Sequence, residues 1–434
     1  MCDCRPTSRR EFIASAAATL ASAGASFALA DESDDSGEYT DSDDTGESGD
    51  TDGQSSGPID ASGQTDSDGN PYGQADDDGN IPVITSFMDI MDDVDYQPAA
   101  TYTLPVGCVP YVSCDNWAAV VQANTDGRTF TRLGCLNFST AEYAILLEQG
   151  LGGRGWAVSE ARITDEIVVW LEEENATLNW ALYAARFTGE ALSSGAEGLV
   201  KLAEGDSDWL LPQFDAAGSQ VVWQVMPDPS GPCSTQHSHA YIWTLGAAEG
   251  DELWDSPGRF SCAPSISDKV ITLVPRVNAD EGVYYGITAM SLSGQHSVLD
   301  QLVMPVSVKP FFATYIGSNF AFSVEADYGY GGRLGSMGYC IGPSEGPFHY
   351  VLREPSAQIC NVNGLYLVKS RTSYFVIDIE RMTYARISAA SGCTDYGDFP
   401  ATQGTTDYFV TYATMKDATS GIPSSVLVRT FSLA

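Results

Sequence analysis

Short apolar runs alternate with turn residues along most of the chain, and Pro264 to Val303 show this pattern most plainly. Three apolar runs in this stretch cover Val270 to Val274, Val283 to Ile287 and Val298 to Val303, and a fourth short segment follows Pro264. Each run has the length of a β-strand, and Ser, Asp, Lys or Gly residues separate them. The stretch therefore predicts one small antiparallel unit of four strands.

The same unit recurs along the chain. The second strand is predicted in seven places: Trp117 to Val121, Ile167 to Leu171, Val221 to Val225, Val270 to Val274, Phe320 to Val324, Leu365 to Val368 and Tyr408 to Tyr412. The third strand is predicted at Phe130 to Leu136, Ala181 to Phe187, Ala240 to Leu245, Val283 to Ile287, Leu334 to Ile341, Tyr374 to Ile379 and Val426 to Phe431. Equivalent positions lie 43 to 53 residues apart. Four strands repeated at this spacing are typical of β-propeller blades.

Proline stands near the start of the first strand in five units, where it breaks no ladder hydrogen bond. These prolines are Pro110, Pro212, Pro264, Pro310 and Pro400. The pattern of Pro, tight turn and apolar run resembles the repeats of TolB-like and WD40-like propellers over about residues 100 to 434. No unit carries a complete Trp-Asp signature in register, so the resemblance implies a fold and no activity.

The fold class that we predict is all-β, with a single β-propeller of seven four-stranded blades. The seventh unit ends after its third strand, and Ala100 to Val106 has the character of a free fourth strand. We expect this N-terminal strand to close the last blade. A six-bladed ring and a pair of β-sandwiches are the alternatives.

The first thirty residues resemble a twin-arginine translocation (Tat) signal. Arg9 and Arg10 are followed by Phe12 and by an Ala-rich, moderately apolar run, and Ala28 and Ala30 supply a small-residue cleavage pattern. The resemblance implies the Tat export machinery as a partner and an extracellular, cell-surface or periplasmic location. The alternative is a structural helix or membrane anchor, but the run is short for a bilayer, so we expect no stable membrane anchor.

Residues 31–80 form an acidic stretch that predicts a disordered linker, and residues 81–99 connect it to the propeller. The linker contains seventeen Asp or Glu residues and no Lys or Arg. The whole chain has a formal net charge of -37, which argues against nucleic-acid binding. Asp66 to Asn70 and Asp76 to Asn80 resemble calcium loops, yet neither has the spaced ligands of an EF-hand.

Eight cysteines follow the predicted signal, and an even number in an exported protein is compatible with disulfides. Blade geometry suggests two pairs, Cys108 with Cys393 and Cys233 with Cys262. Buried free thiols are the alternative, because a Tat substrate folds in the reducing cytoplasm.

No catalytic motif is evident. The four histidines are His237, His239, His296 and His349, and there is no G-x-S-x-G motif before a helix. His237 and His239 follow Cys233, but no second cluster at zinc spacing accompanies them. Carboxylate runs such as Glu172 to Glu174 are predicted to be solvated acids at strand ends.

Loops between second and third strands all emerge on one face of a propeller, and three of them are long: Pro227 to His239, Ala326 to Arg333 and Thr414 to Ser424. We expect a ligand-binding surface here, formed by His237 and His239 and by an aromatic and cationic patch of Tyr328, Tyr330 and Arg333.

The sequence therefore favours an exported, non-catalytic binding or protein-interaction module whose protein or small-molecule ligand is unknown. No cofactor is evident. The alternative is an extracytoplasmic hydrolase or lyase with its site in the central funnel and a bound calcium ion.

Overall fold

A computed structural model describes residues 90–91, 94, 96–123, 130–189, 192, 198–279, 282–304, 308–326, 337–346, 348–352, 359–369, 373–394, 399–402 and 404–433. Every regular element in these residues is a β-strand. The described residues form no helix, and so none that is long and apolar enough to cross a membrane. The prediction of an all-β fold is confirmed.

The strands assemble into seven sheets, one for each predicted unit. Two strands precede the first unit, β1 Ile90–Met91 and β2 Ala100–Pro105. Blade 1 consists of β3 Cys108–Tyr111, β4 Trp117–Ala123, β5 Phe130–Asn137 and β6 Tyr143–Leu147. Blade 2 consists of β7 Trp156–Ile163, β8 Ile167–Glu174, β9 Trp180–Arg186 and β10 Leu199–Gly205. Blade 3 consists of β11 Gln213–Ala217, β12 Gln220–Val225, β13 Ser238–Thr244 and β14 Asp251–Ser256.

The remaining blades follow in the same order. Blade 4 consists of β15 Ser265–Ser267, β16 Val270–Leu273, β17 Arg276–Ala279, β18 Gly282–Ser291 and β19 Val298–Val303. Blade 5 consists of β20 Val308–Ile316, β21 Asn319–Ala326, β22 Met337–Gly342 and β23 His349–Leu352. Blade 6 consists of β24 Cys360–Val362, β25 Leu365–Lys369, β26 Ser373–Asp378 and β27 Thr383–Ser388. Blade 7 contains β28 Phe399–Pro400, β30 Phe409–Lys416 and β31 Pro423–Phe431, with β29 Gly404–Thr405 in the connection after β28.

The seven sheets form a ring, so the protein is a seven-bladed β-propeller and the six-bladed and sandwich alternatives are excluded. Strands within each blade are antiparallel neighbours in sequence order. The loops from second to third strands therefore lie on the same face as the connections between blades, which we call the loop face. The turns from first to second and from third to fourth strands lie on the opposite face, the turn face.

The apolar cores lie between the blades. Among the described residues, seven clusters of buried side chains each join two adjacent blades, and the cluster with Leu104 and Val112 joins blade 7 to blade 1. Trp170, Trp180 and Trp243 are at most 1% exposed in the clusters on either side of blade 2. Burial of one large apolar side chain contributes about 1.5–3 kcal/mol, so each blade is stabilised by its two neighbours.

The N-terminal strand closes the ring, as the sequence predicts. β2 pairs antiparallel with β31, in a register that runs from Ala100 opposite Thr430 to Pro105 opposite Ser425. The innermost and outermost strands of blade 7 thus come from opposite ends of the domain. This pairing supplies the fourth strand of the seventh blade and so joins the two ends of the domain.

Three local features depart from a regular four-stranded blade. β1 adds to the outer edge of blade 6 by parallel pairing with β27, so part of the predicted connecting segment belongs to the propeller. β29 adds to the inner edge of the same blade, also in parallel, beside β24. In blade 4 the second strand is interrupted at Pro275, and both β16 and β17 pair with β18.

Neither hypothesised disulfide is formed, because all eight cysteines of the described chain are free thiols. Cys108 points into the core between blades 7 and 1, where burial raises its pKa to about 12, whereas Cys393 lies in the connection beside Met415. Cys262 packs in the core between blades 4 and 5, whereas Cys233 lies in the second loop of blade 3. The members of each pair thus face different parts of the ring.

Candidate functional site

The axis of the propeller is crossed on the turn face by β29. Its residues pair with Cys360 and Asn361 in blade 6, and the hydroxyl of Thr405 bonds to that of Ser267 in blade 4 over 2.5 Å. Gly404 has φ +70°, and a Cβ at this position would lie 2.6 Å from the carbonyl oxygen of Ile266. Only glycine permits this approach, and the chain thereby links blade 6 to blade 4, which is not its neighbour in the ring.

Three charged side chains lie together on the inner strands of blades 2 and 3. Arg162 Nη2 donates to Glu160 Oε1 over 2.6 Å, and Arg162 Nε lies 3.6 Å from Oδ1 of Asp215. The guanidinium lies between the rings of Tyr111 and Phe214, 5.2 Å from each centroid. We call Glu160, Arg162 and Asp215 the axial triad. It combines an ion-pair network with cation–π contacts to blades 1 and 3.

The triad also satisfies backbone groups of the inner edge strands. Oδ2 of Asp215 accepts the N–H of Ile266 over 2.7 Å, and Oδ1 accepts the N–H of Ala216 over 2.9 Å. Burial raises the pKa of Asp215 to about 6, although Arg162 and these two N–H groups act in the opposite direction. Burial also acts to lower the pKa of Arg162, but Glu160 and Asp215 raise it, so the guanidinium remains charged.

The triad is poorly placed to act on a substrate. Glu160, Arg162 and Asp215 are 3%, 1% and 4% exposed. A catalytic acid or base must lie within hydrogen-bond reach of the substrate, and these groups are instead engaged with one another and with the backbone. None of these three residues was predicted from the sequence. The only available signal was the placement of Glu160 and Arg162 at i and i+2 in an apolar strand, which puts both on one face.

The second loop of blade 3, residues 226–237, is attached to the connection between blades 2 and 3. The N–H of Leu210 bonds to the carbonyl of Met226 over 2.9 Å, and the N–H of Asp228 bonds to that of Asp208 over 2.8 Å. Loop and connection therefore form one continuous strip on the loop face, in agreement with the predicted position of this loop.

His237 and His239 lie beside two carboxylates at the end of this strip. Nδ1 of His237 lies 2.7 Å from Oδ1 of Asp255, and Nδ1 of His239 lies 3.2 Å from Oε1 of Glu252. The His239 ring is 6.2 Å from that of Tyr241, whose pKa is raised by burial and by the two carboxylates. The side chains of His237 and Asp255 are about half exposed. We call these five residues the blade 3 rim cluster.

The acidic members of the rim cluster were not predicted from the sequence. Asp255 and Glu252 lie on the outer strand of the blade, opposite His239 and Tyr241 in the cross-strand register. Residues at i and i+2 of a strand face the same side, so a prediction required that register. Tyr328, Tyr330 and Arg333, the other predicted binding residues, lie outside the described residues, as do the two acidic calcium-like stretches.

No group of three or more His, Cys, Asp or Glu side chains in the described ranges is arranged to hold a metal ion. The rim cluster is accordingly a set of hydrogen-bonded acid and imidazole pairs at an exposed edge. It offers carboxylate oxygens and aromatic faces to a ligand.

Glu172 overturns the interpretation of Glu172 to Glu174 as solvated acids. Its side chain is fully buried, and its carboxylate accepts the N–H groups of Leu151 and Gly152 and of the Trp170 indole, each over 2.8 Å. The carboxylate thus fixes the glycine-rich connection between blades 1 and 2 on the loop face. Three donors to one buried carboxylate offset its loss of hydration.

The chain matches no protein-family model and no curated protein. Solved structures share its propeller fold. It is similar to the β-propeller domain of the Trilobed protease from Pyrococcus furiosus, at 10% identity and a TM-score of 0.45, covering 77% of this chain and 94% of that one. It is also similar to a prolyl endopeptidase, at 9% identity and a TM-score of 0.49, covering 79% of this chain and 48% of that one. A third is the polysaccharide lyase Uly1, at 9% identity and a TM-score of 0.45, covering 84% and 95%. At these values the likeness concerns the fold alone.

Proposed function

We propose that the protein is an exported binding module that acts through the loop face of its propeller and not through a catalytic centre on the axis. The observation that carries this proposal is the contrast between axis and rim. The charged axial residues are at most 4% exposed and are paired with one another, whereas the rim cluster is open to solvent. Rigid propellers that present accessible loops on one face are suited to recognition.

The chemistry of the blade 3 rim favours a basic protein segment as the partner. Asp255 and Glu252 carry negative charge, and Asp206, Asp208 and Asp228 lie in the connection and loop on the same face of this blade. Tyr241 adds an aromatic ring that attracts cations. A chain of net charge -37 also accelerates encounter with a cationic partner and repels polyanions.

A binding assay with a defined probe tests this proposal. An arginine-rich peptide is titrated against the wild type and against a double variant, Glu252→Gln with Asp255→Asn. We expect saturable, salt-sensitive binding that weakens at least about 5-fold in the variant. Glu249→Gln is the matched control, because this exposed acid lies in the same blade on the turn face. Binding that is unchanged in the double variant, or that falls equally in the control, contradicts the proposal.

Export is part of the same proposal and has its own test. The Tat-like signal lies outside the described residues, and its paired arginines support it. Replacement of Arg9 and Arg10 by lysine is expected to retain the protein in the cytoplasm, and the mass of the exported wild type is expected to correspond to a chain that starts at Asp31. An exported protein that retains residues 1–30 contradicts this part.

A further inference from the structure

A pocket of about 570 Å³ lies on the loop face between blades 1 and 2, whereas the rim cluster belongs to blade 3. Its wall is formed by the glycine-rich connection between these blades, by the start of β7 and by the loop that follows β8. Its volume falls in the range of small-molecule sites and exceeds that of a single inorganic anion. No motif of the sequence pointed to it, apart from the glycine run at residues 150–155.

The connection that forms the wall of the pocket is fixed by contacts with Glu172 and Trp156. The buried carboxylate of Glu172 accepts two of its N–H groups, and Gly152 packs directly on the indole of Trp156. A Cβ at Gly152 would lie 2.2 Å from Cδ2 of that ring. Gly153 and Gly155 have φ of +82° and +97°, a conformation that other residues rarely adopt. The loop is therefore shaped before any ligand arrives, which reduces the entropy cost of binding.

The side chains around the pocket combine one ring, one cation and planar amides. Trp156 is half-buried and lines the pocket together with Gln149, Asn175 and Arg154. Glu148, also in the lining, is already paired with Arg132 over 3.1 Å. Arg154 is exposed and has no ion-pair partner among the residues that the structure describes.

We propose that this pocket binds an acidic saccharide unit, a pyranose ring that carries a carboxylate. The Arg154 guanidinium matches a carboxylate in a bidentate arrangement, and Gln149 and Asn175 offer both donors and acceptors to ring hydroxyls. The Trp156 indole provides an aromatic surface for the C–H groups of the sugar. The pocket is separate from the rim cluster, so its occupancy is independent of the function proposed above.

The test measures binding of a galacturonate disaccharide to the full-length protein by titration calorimetry. The neutral galactose disaccharide and acetate serve as comparison ligands. We expect Arg154→Gln to weaken binding of the galacturonate disaccharide at least about 10-fold, because a charge-assisted bidentate contact is lost. Arg381→Gln is the matched control, since this exposed arginine is in blade 6 on the turn face and pairs with Asp378. Neither arginine is buried, so both variants are expected to fold.

A second variant reports the location of the ligand. Addition of the galacturonate disaccharide is expected to change the tryptophan fluorescence of the wild type, and Trp156→Phe is expected to abolish that change while the other seven tryptophans remain. The proposal is overturned if the wild type shows no saturable binding at millimolar concentration, if acetate or the neutral disaccharide binds as tightly, or if Arg154→Gln and Arg381→Gln behave alike.

Discussion

The axial triad makes the stability of the propeller depend on pH in a defined direction. Burial raises the pKa of Asp215 from 3.8 to about 6 in the folded protein. An acid whose pKa is raised by folding binds its proton more tightly in the folded state than in the unfolded state. Its contribution is therefore most favourable at low pH and is lost as the pH rises through about 4 to 6. This is opposite to the usual behaviour of a salt-bridged aspartate.

The magnitude follows from the two pKa values. The difference between the folded and unfolded pKa values corresponds to a change of about 3 kcal/mol in the free energy of unfolding between the fully protonated and the fully ionised carboxyl group. Because the unfolded carboxyl already titrates near pH 3.8, about 2 kcal/mol of this amount is lost between pH 4.5 and 7.5. Asp215 is only 4% exposed, so solvent does not screen the effect.

The variant Asp215→Asn removes this titration and leaves a side chain of the same size. In the variant, the side-chain NH₂ group would face one of the backbone N–H groups whose hydrogen bond the wild-type carboxylate accepts. We therefore expect the variant to be less stable than the wild type at every pH. The decisive quantity is the wild-type stability minus that of the variant. We expect this difference to shrink by about 2 kcal/mol from pH 4.5 to 7.5, since the other acids titrate equally in both proteins.

Urea unfolding, followed by tryptophan fluorescence at several pH values, measures this difference. Glu249→Gln provides a control for removal of a charge from an exposed site, and its difference from the wild type is expected to stay nearly constant. A difference between wild type and Asp215→Asn that is constant with pH would refute the reasoning. One that grows with pH would show that Arg162 outweighs burial and lowers the pKa of Asp215.

Four further changes test other features. Glu172→Gln is expected to lower the free energy of unfolding by about 2–4 kcal/mol. Both carboxylate oxygens accept N–H donors, so either orientation of the glutamine amide places its NH₂ group against one of those donors. Equal urea midpoints for the variant and the wild type would contradict this. Gly404→Ala is expected to lower the free energy of unfolding by about 2 kcal/mol or more, because φ is positive at this position and the added Cβ would contact the Ile266 carbonyl. Gly421→Ala is the control for φ alone, since Gly421 has the same φ and open space around it. Gln224→Met is expected to raise stability by about 1 kcal/mol, because neither end of the fully buried amide has a hydrogen-bond partner among the residues that the structure describes. A loss of stability would instead indicate a bridging water. Deletion of residues 96–105 is expected to abolish cooperative thermal unfolding, and recovery of the transition on addition of a peptide of that sequence would support the closure.

Much of the fold could be predicted from the sequence because each blade repeats a local pattern. The second strand predicted at Ile167 to Leu171 occurs at Ile167–Glu174, and the third predicted at Val426 to Phe431 occurs at Pro423–Phe431. Apolar runs bounded by Gly, Asp or Asn determine such strands locally. The closing strand was also predictable, since Ala100 to Val106 has a strand pattern and no partner nearby in the sequence.

The missed features depend on contacts between distant parts of the chain. β29 has only two residues and no strand pattern, and it pairs because the ring brings blade 6 to the end of β28. Glu172 follows an apolar run and reads as a solvated acid, but the connection before β7 folds over it. Glu160, Arg162 and Asp215 meet only after two blades have docked. Burial and pairing of charged residues are tertiary properties, which local patterns do not encode.

The strand that fastens the ring also constrains the way in which the chain reaches its native state. Thr430 donates its hydroxyl to the carbonyl oxygen of Ala100 across 330 residues of sequence. The final contacts therefore form only after nearly the whole domain has been synthesised, which makes closure a late step. Until then, β2 and blade 7 each expose an unpaired edge. Two unfinished molecules that meet at this stage have complementary edges, so we expect reciprocal exchange of β2 between copies to be the main misfolding route of this domain.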